Sequence, residues 1–228
     1  MYFKKIIFVL LFMLLLLYFG ASFLYDPKYV IFIKPLIIPL FILYICFDSK
    51  LILNKGYYYF VAFFYLGETA MLFLEYSNIF MRTALLLSLF SYLSLVLIAF
   101  PFIKHTNFKK TLRGYTLFVV LLNSFFLVLI VFILIEAIPD EFVDFLVLLN
   151  ALVALMLIIT SVLYLCAKNN KKAVLFFFGS ISIVFSDIFA ALSVYYLDYF
   201  ALNYIERILH FFGFLLIYLF IIENKKIA

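Results

Sequence analysis

From residue 6 to residue 223 the chain is a succession of apolar runs separated by short polar connections. The runs cover 6–24, 30–47, 57–75, 79–103, 115–135, 143–167, 173–197 and 201–223. Each approaches the roughly 20 residues that a helix needs to cross a hydrocarbon core of about 30 Å. In lipid no water meets a bare N–H or C=O, so a spanning segment satisfies its backbone as a helix or within a closed barrel. Barrel strands alternate polar and apolar residues, and these runs do not. The pattern therefore predicts an all-α integral membrane protein. It would be a single transmembrane domain over 1–228, a bundle of about eight helices. Hydrophobic residues make up 70% of the chain and charged ones 13%, a balance that excludes a soluble globular domain.

The connections hold the turn formers and most of the charge: Asp26-Pro27, Lys55-Gly56, Ser77-Asn78, Lys109-Lys110, Pro139-Asp140, Lys168-Asn169-Asn170 and Asp198. Counted from a cytoplasmic N-terminus, the inner segments carry thirteen of the seventeen Lys and Arg, from Lys4 and Lys5 to Lys225 and Lys226. Only Lys28, Lys34, Arg82 and Arg207 remain on the outer side. Basic residues accumulate in cytoplasmic loops, so both termini are expected in the cytoplasm, which an even number of spans requires. The acidic connection with Glu136, Asp140, Glu141 and Asp144 then faces outward. The net charge of +5 comes from loop lysines and arginines and does not mark a nucleic-acid surface. Lys4-Lys5, the apolar stretch after them and Gly20-Ala21-Ser22 also resemble a signal peptide. The run continues through Leu24, however, and retaining it keeps the count even. Cys46 and Cys166 are isolated and fit neither a disulfide framework nor a metal site. With no Trp, an interfacial aromatic belt would have to come from the 18 Tyr.

Against this apolar background a few polar groups stand out. Asp187 lies mid-run in Phe185-Ser186-Asp187-Ile188-Phe189, and Glu68 in Tyr65-Leu66-Gly67-Glu68-Thr69. A charge at such depth costs about 3 kcal/mol or more, so the group is neutralised, paired or turned to an internal cavity. In the seventh run Gly179, Ser182, Ser186, Ala190 and Ser193 recur at spacings of three and four. That stripe of small residues lets another helix approach closely, and Asp187 flanks it. In the eighth run Asn203, Glu206, Arg207 and His210 share one helical face. The second run carries Lys34-Pro35 and, within the span, Pro39, which removes a backbone donor and predicts a kink near Lys34. At 1.5 Å per residue, Glu68, Asp187, Glu206, His210 and Lys34 all fall in the middle or outer half of the membrane, in a layer compatible with one polar pocket.

Simpler roles compete with a site. Asp187 can bind a neighbouring helix through Ser or Asn. Lys34 can snorkel to the headgroups, and Glu206 and Arg207 can form a local interfacial ion pair. A lone His210 makes no metal site, and no cofactor is called for. Asn123 and Asn150 read as interhelical glue.

The order of these marks resembles the lysoplasmalogenase (YhhN-like) family of eight-helix membrane proteins. Lys34-Pro35-Leu36 is similar to that family's KP element. Gly67-Glu68 stands where the family typically has Gly-Asp. Phe178-Gly179 through Phe185-Ser186-Asp187 looks like its G-x-x-x-F-x-x-S-D stretch. Ser88 to Ser94 occupies the place of the family's His followed by Tyr, and His210-Phe211-Phe212-Gly213 that of Tyr and then Ala-Gln. The resemblance implies a hydrolase of a bacterial cytoplasmic membrane. Its substrate would be a lysophospholipid within the bilayer, whose vinyl ether bond is cleaved to a fatty aldehyde and a glycerophospho-base. Vinyl ethers hydrolyse by protonation at carbon, giving an oxocarbenium ion that water attacks. Two carboxyls in different environments divide such work between acid and stabilising base. Asp187 and Glu68 are the expected catalytic pair. Lys34 or Arg207 would hold the phosphate, with Glu206 and His210 also lining the substrate site. Two rival readings use the same residues: a proton-coupled carrier, for which midplane carboxyls are equally natural, and an inactive relative acting as a membrane partner.

Overall fold

A computed structural model of the chain describes residues 2–24, 36–40, 55–74, 76–104, 114–138, 140–196 and 200–225. Among these residues every regular element is an α-helix. In chain order they are α1 (Tyr2–Leu24), α2 (36–40), α3 (Lys55–Met71), α4 (Asn78–Ile103), α5 (Tyr115–Ala137), α6 (Glu141–Lys168), α7 (Lys171–Tyr195) and α8 (Phe200–Lys225). Each falls on one of the apolar runs. Helices α4 to α8 supply five segments long and apolar enough to cross a membrane. Lys34, Pro35 and Cys46 lie outside the described residues, and with them the kink expected near Lys34.

Polar side chains set the helix boundaries. Asp140 Oδ1 accepts the backbone N–H groups of Phe142 and Val143 at 3.0 and 3.2 Å, opening α6. Asn170 Oδ1 accepts from Ala173 N–H at 2.9 Å and opens α7. Ser77 Oγ accepts from Ile79 N–H at 3.2 Å and opens α4. Each bond satisfies a donor that the first helical turn leaves without a partner. Between α6 and α7, Asn169 takes a left-handed conformation at φ 41°, which Asn tolerates better than most residues. Its N–H closes on Leu165 C=O at 2.8 Å. Two residues thus reverse the chain and lay α6 and α7 side by side. The run 57–75 predicts a longer helix than α3, which stops at Met71. There Leu72 and Phe73 bond three residues back, to Thr69 and Ala70 at 3.2 and 3.1 Å, tightening the last turn.

The chain divides into two compact units, Met1–Ser88 and Leu89–Ala228. In the first, α3 buries Tyr57, Phe60, Val61 and Phe64, the spacing of a single helix face. Gly67 brings α3 against the start of α4, where an added Cβ would lie 3.5 Å from Leu87 Cβ and 3.7 Å from the Ala84 carbonyl oxygen. Phe73 and Phe80 close the turn between the two helices, with ring centroids 5.4 Å apart.

In the second unit α7 is the hub, packing most extensively on α8 and also on α6 and α5. The α7–α8 contact is a close approach of backbones. A Cβ on Gly213 would come within 3.0 Å of Ile183 N and 3.1 Å of the Gly179 carbonyl oxygen, and one on Gly179 within 3.1 Å of Ile217 N. The small-residue stripe of α7 therefore does receive another helix, and the partner contributes a glycine of its own. Beyond this crossing lies an aromatic layer built from four helices. Tyr164 of α6 stacks on Phe102 of α4 at 4.9 Å and meets Phe176 of α7 and Phe220 of α8 at 5.9 and 6.1 Å. Phe176 and Phe220 complete it at 5.0 Å. Helix α5 leaves Phe118, Phe125 and Phe132 exposed.

Candidate functional site: a polar layer on three helices

Tyr92 lies ten residues before Phe102, Asp187 eleven after Phe176 and His210 ten before Phe220. At 1.5 Å per residue these three side chains therefore share a level about 15 Å from the aromatic layer. Tyr92 Oη donates a hydrogen bond to Asp187 Oδ2, tying α4 to α7. Tyr92 is buried and Asp187 half-buried. One residue earlier, the fully buried Ser186 brings its Oγ to 3.4 Å from His210 Nδ1, tying α7 to α8. His210 Nδ1 is in turn 3.9 Å from Glu206 Oε1, one helical turn back. His210 and Glu206 are only 1% and 7% exposed. A buried carboxylate is tolerated when a partner shares its charge or its proton, and the imidazole is placed for that.

Of the face expected on α8, three members are buried and Asn203 is half-buried. Glu206, Arg207 and His210 are buried while Ile205 and Ile208 turn outward. Arg207 sits with its guanidinium carbon 5.9 Å from the centroid of the Tyr204 ring, a cation–π geometry. Within the second unit, then, Asp187 stands on α7 next to Ser186, which reaches His210 on α8, and Glu206 and Arg207 share the buried face of α8 with His210. Glu68 is half-buried on α3 in the first unit, and Lys34 lies outside the described residues. Asn123, expected as interhelical glue, instead donates from Nδ2 to the Val119 carbonyl of its own helix at 2.7 Å. This is the local bond that competes with cross-helix pairing.

Ser186, His210 and Glu206 superficially suggest a nucleophilic triad, but the geometry differs. In a triad the hydroxyl and the orienting acid occupy opposite ring nitrogens. Here both approach Nδ1. The layer instead holds a carboxyl bonded by a phenol and, on the adjoining helix, an imidazole with a carboxyl oxygen 3.9 Å from its Nδ1. Among the described residues no three His, Cys, Asp or Glu side chains converge as metal ligands would.

Tyr92 is the contributor that sequence reasoning does not single out. The available signal is the cluster Ser88, Ser91, Tyr92 and Ser94, which marks a polar patch on an otherwise apolar run. Comparison of the chain with models of known protein families, with curated proteins and with solved structures yields no match.

Proposed function

We propose that the chain is an integral membrane hydrolase of the lysoplasmalogenase type, with about eight spans and both termini in the cytoplasm of a bacterium. It would cleave the vinyl ether bond of a lysoplasmalogen to a fatty aldehyde and a glycerophospho-base. Asp187 is the acid that protonates the vinyl carbon, and Tyr92 holds one of its oxygens so that the other faces the substrate. Glu68 is retained as the second carboxyl on its sequence position, and Lys34 or Arg207 as holder of the phosphate. The observation that carries the reading is the Tyr92–Asp187 bond. It gives a carboxyl in an apolar helix a donor from a second helix, beside a buried imidazole from a third. The exposed phenylalanines of α5 suit contact with acyl chains.

Purified protein in detergent, given a 1-alkenyl lysophospholipid, should release aldehyde. It should leave the saturated 1-alkyl analogue intact, since that lipid has no carbon–carbon double bond to protonate. The Asp187→Asn protein should lose about 100-fold or more of the rate, the scale of general acid catalysis, with its helical circular dichroism unchanged. Full release by that variant would reject the assignment of Asp187. The Glu206–His210 pair favours a second reading, a proton-coupled carrier, which would release no aldehyde and would move protons across proteoliposomes.

A further inference from the structure

We propose that Glu206 and His210 act as one proton-handling unit, with the ring proton on Nδ1 on the side of Glu206, and that the unit serves the water step of the reaction at Asp187. The role rests on the function proposed above, whereas the tautomer rests on geometry alone: at 3.9 Å Glu206 Oε1 stands outside hydrogen-bond reach of Nδ1 and acts on its proton through charge. Two oxygens approach the same ring nitrogen: Ser186 Oγ at 3.4 Å and Glu206 Oε1 at 3.9 Å. A carboxylate beside Nδ1 selects the tautomer that carries its proton there. Glu206 is thus a positioning residue that acts through the ring. The pair is buried, His210 at the level of Asp187 and touching Ser186, its chain neighbour, and Glu206 one turn further on.

The proton balance calls for such a group. Protonated Asp187 gives its proton to the vinyl carbon, the double bond's electrons form the new C–H bond, and oxygen stabilises the resulting cation. Water then adds to the cationic carbon and must lose a proton to become the hemiacetal. The hemiacetal hydroxyl gives up its proton as the C–O bond to the glycerol oxygen breaks, and the departing oxygen takes up one proton, releasing aldehyde and alcohol. The net consumption is one water. Glu206–His210 takes the proton that water loses, and this proton ultimately replaces the one spent by Asp187. The family resemblance implies substrate binding for Glu206 and His210, and the two roles predict different kinetics.

Two measurements on full-length protein in detergent micelles separate them. The first is ring 15N NMR of His210 in wild type and Glu206→Gln. A proton on Nδ1 in wild type that redistributes to Nε2 in the variant is expected, and identical spectra would overturn the coupling of Glu206 to the ring. The second is the kinetics of aldehyde release from a 1-alkenyl lysophospholipid. Glu206→Gln and His210→Gln should each lower kcat by about 100-fold, with KM changed less than threefold. A raised KM at unchanged kcat would return both residues to substrate binding. If Glu206→Gln unfolds, His210→Gln and Glu206→Asp carry the kinetic comparison. If wild type releases no aldehyde, the hydrolase reading and the water-step role both fall. The NMR result then stands or falls separately. If wild type is active and the variants match it, only the proton-handling unit is lost.

Discussion

Helices α4, α7 and α8 pass through two layers about 15 Å apart, and the two are built on opposite principles. In the aromatic layer Tyr164, Phe176 and Phe220 are at most 1% exposed and meet through ring faces and edges. Such contacts are individually weak and gain from close packing, with little dependence on any one partner. In the polar layer Tyr92, Ser186, His210 and Glu206 are buried and Asp187 half-buried, but here the contacts are between specific polar atoms. A polar group buried without its partner costs about 1–3 kcal/mol, so this layer restrains the helices only while its network is whole. The difference teaches where stability and chemistry reside. The first layer holds the helices together, and that hold lets the second bury polar groups.

This contrast can be broken in three places. Phe220→Ala should cause the largest loss of stability, about 3 kcal/mol for a buried ring replaced by a cavity, read as a lower denaturation midpoint. Aldehyde release per folded molecule should stay within twofold of wild type. A selective loss of rate would mean that the layers are not separable. Gly213→Val acts between them, where the added side chain meets Ile183 N. It should destabilise by about 2 kcal/mol through overpacking and also lower the rate, since His210 lies one turn away. Stability equal to wild type would show that α7 and α8 are not in backbone contact. Tyr92→Phe should have the smallest effect on folding, about 1 kcal/mol, while slowing release about tenfold, the kinetic equivalent of a similar energy. An unchanged rate would make the Tyr92–Asp187 bond structural only.

The helices are largely legible in the sequence because apolar length alone dictates them. The run 173–197 becomes Lys171–Tyr195 and the run 143–167 becomes Glu141–Lys168. The shifts arise at Asp140, Asn169 and Asn170, polar residues that read as loop but whose caps extend or end the helices. Within the site, Asp187 is visible because a charge in an apolar run has few explanations. The α8 face is visible because its members are three or four residues apart. Tyr92 is not visible in this way. It is one of 18 tyrosines, a residue equally suited to interfaces and packing, and only the alignment of α4 beside α7 gives it a carboxyl to bind. The ring nitrogen that Glu206 and Ser186 share is equally invisible, since spacing fixes a face but not the atom that each side chain approaches.

The most direct test of the acid role assigned to Asp187 is isotopic. Wild-type protein is given a 1-alkenyl lysophospholipid in D2O, and the aldehyde is trapped as it forms and weighed by mass spectrometry. Proton delivery to the vinyl carbon predicts one deuterium on the carbon next to the carbonyl, at a rate that collapses in Asp187→Asn. Aldehyde without that deuterium, or a labelled product formed equally fast by the variant, would contradict the account.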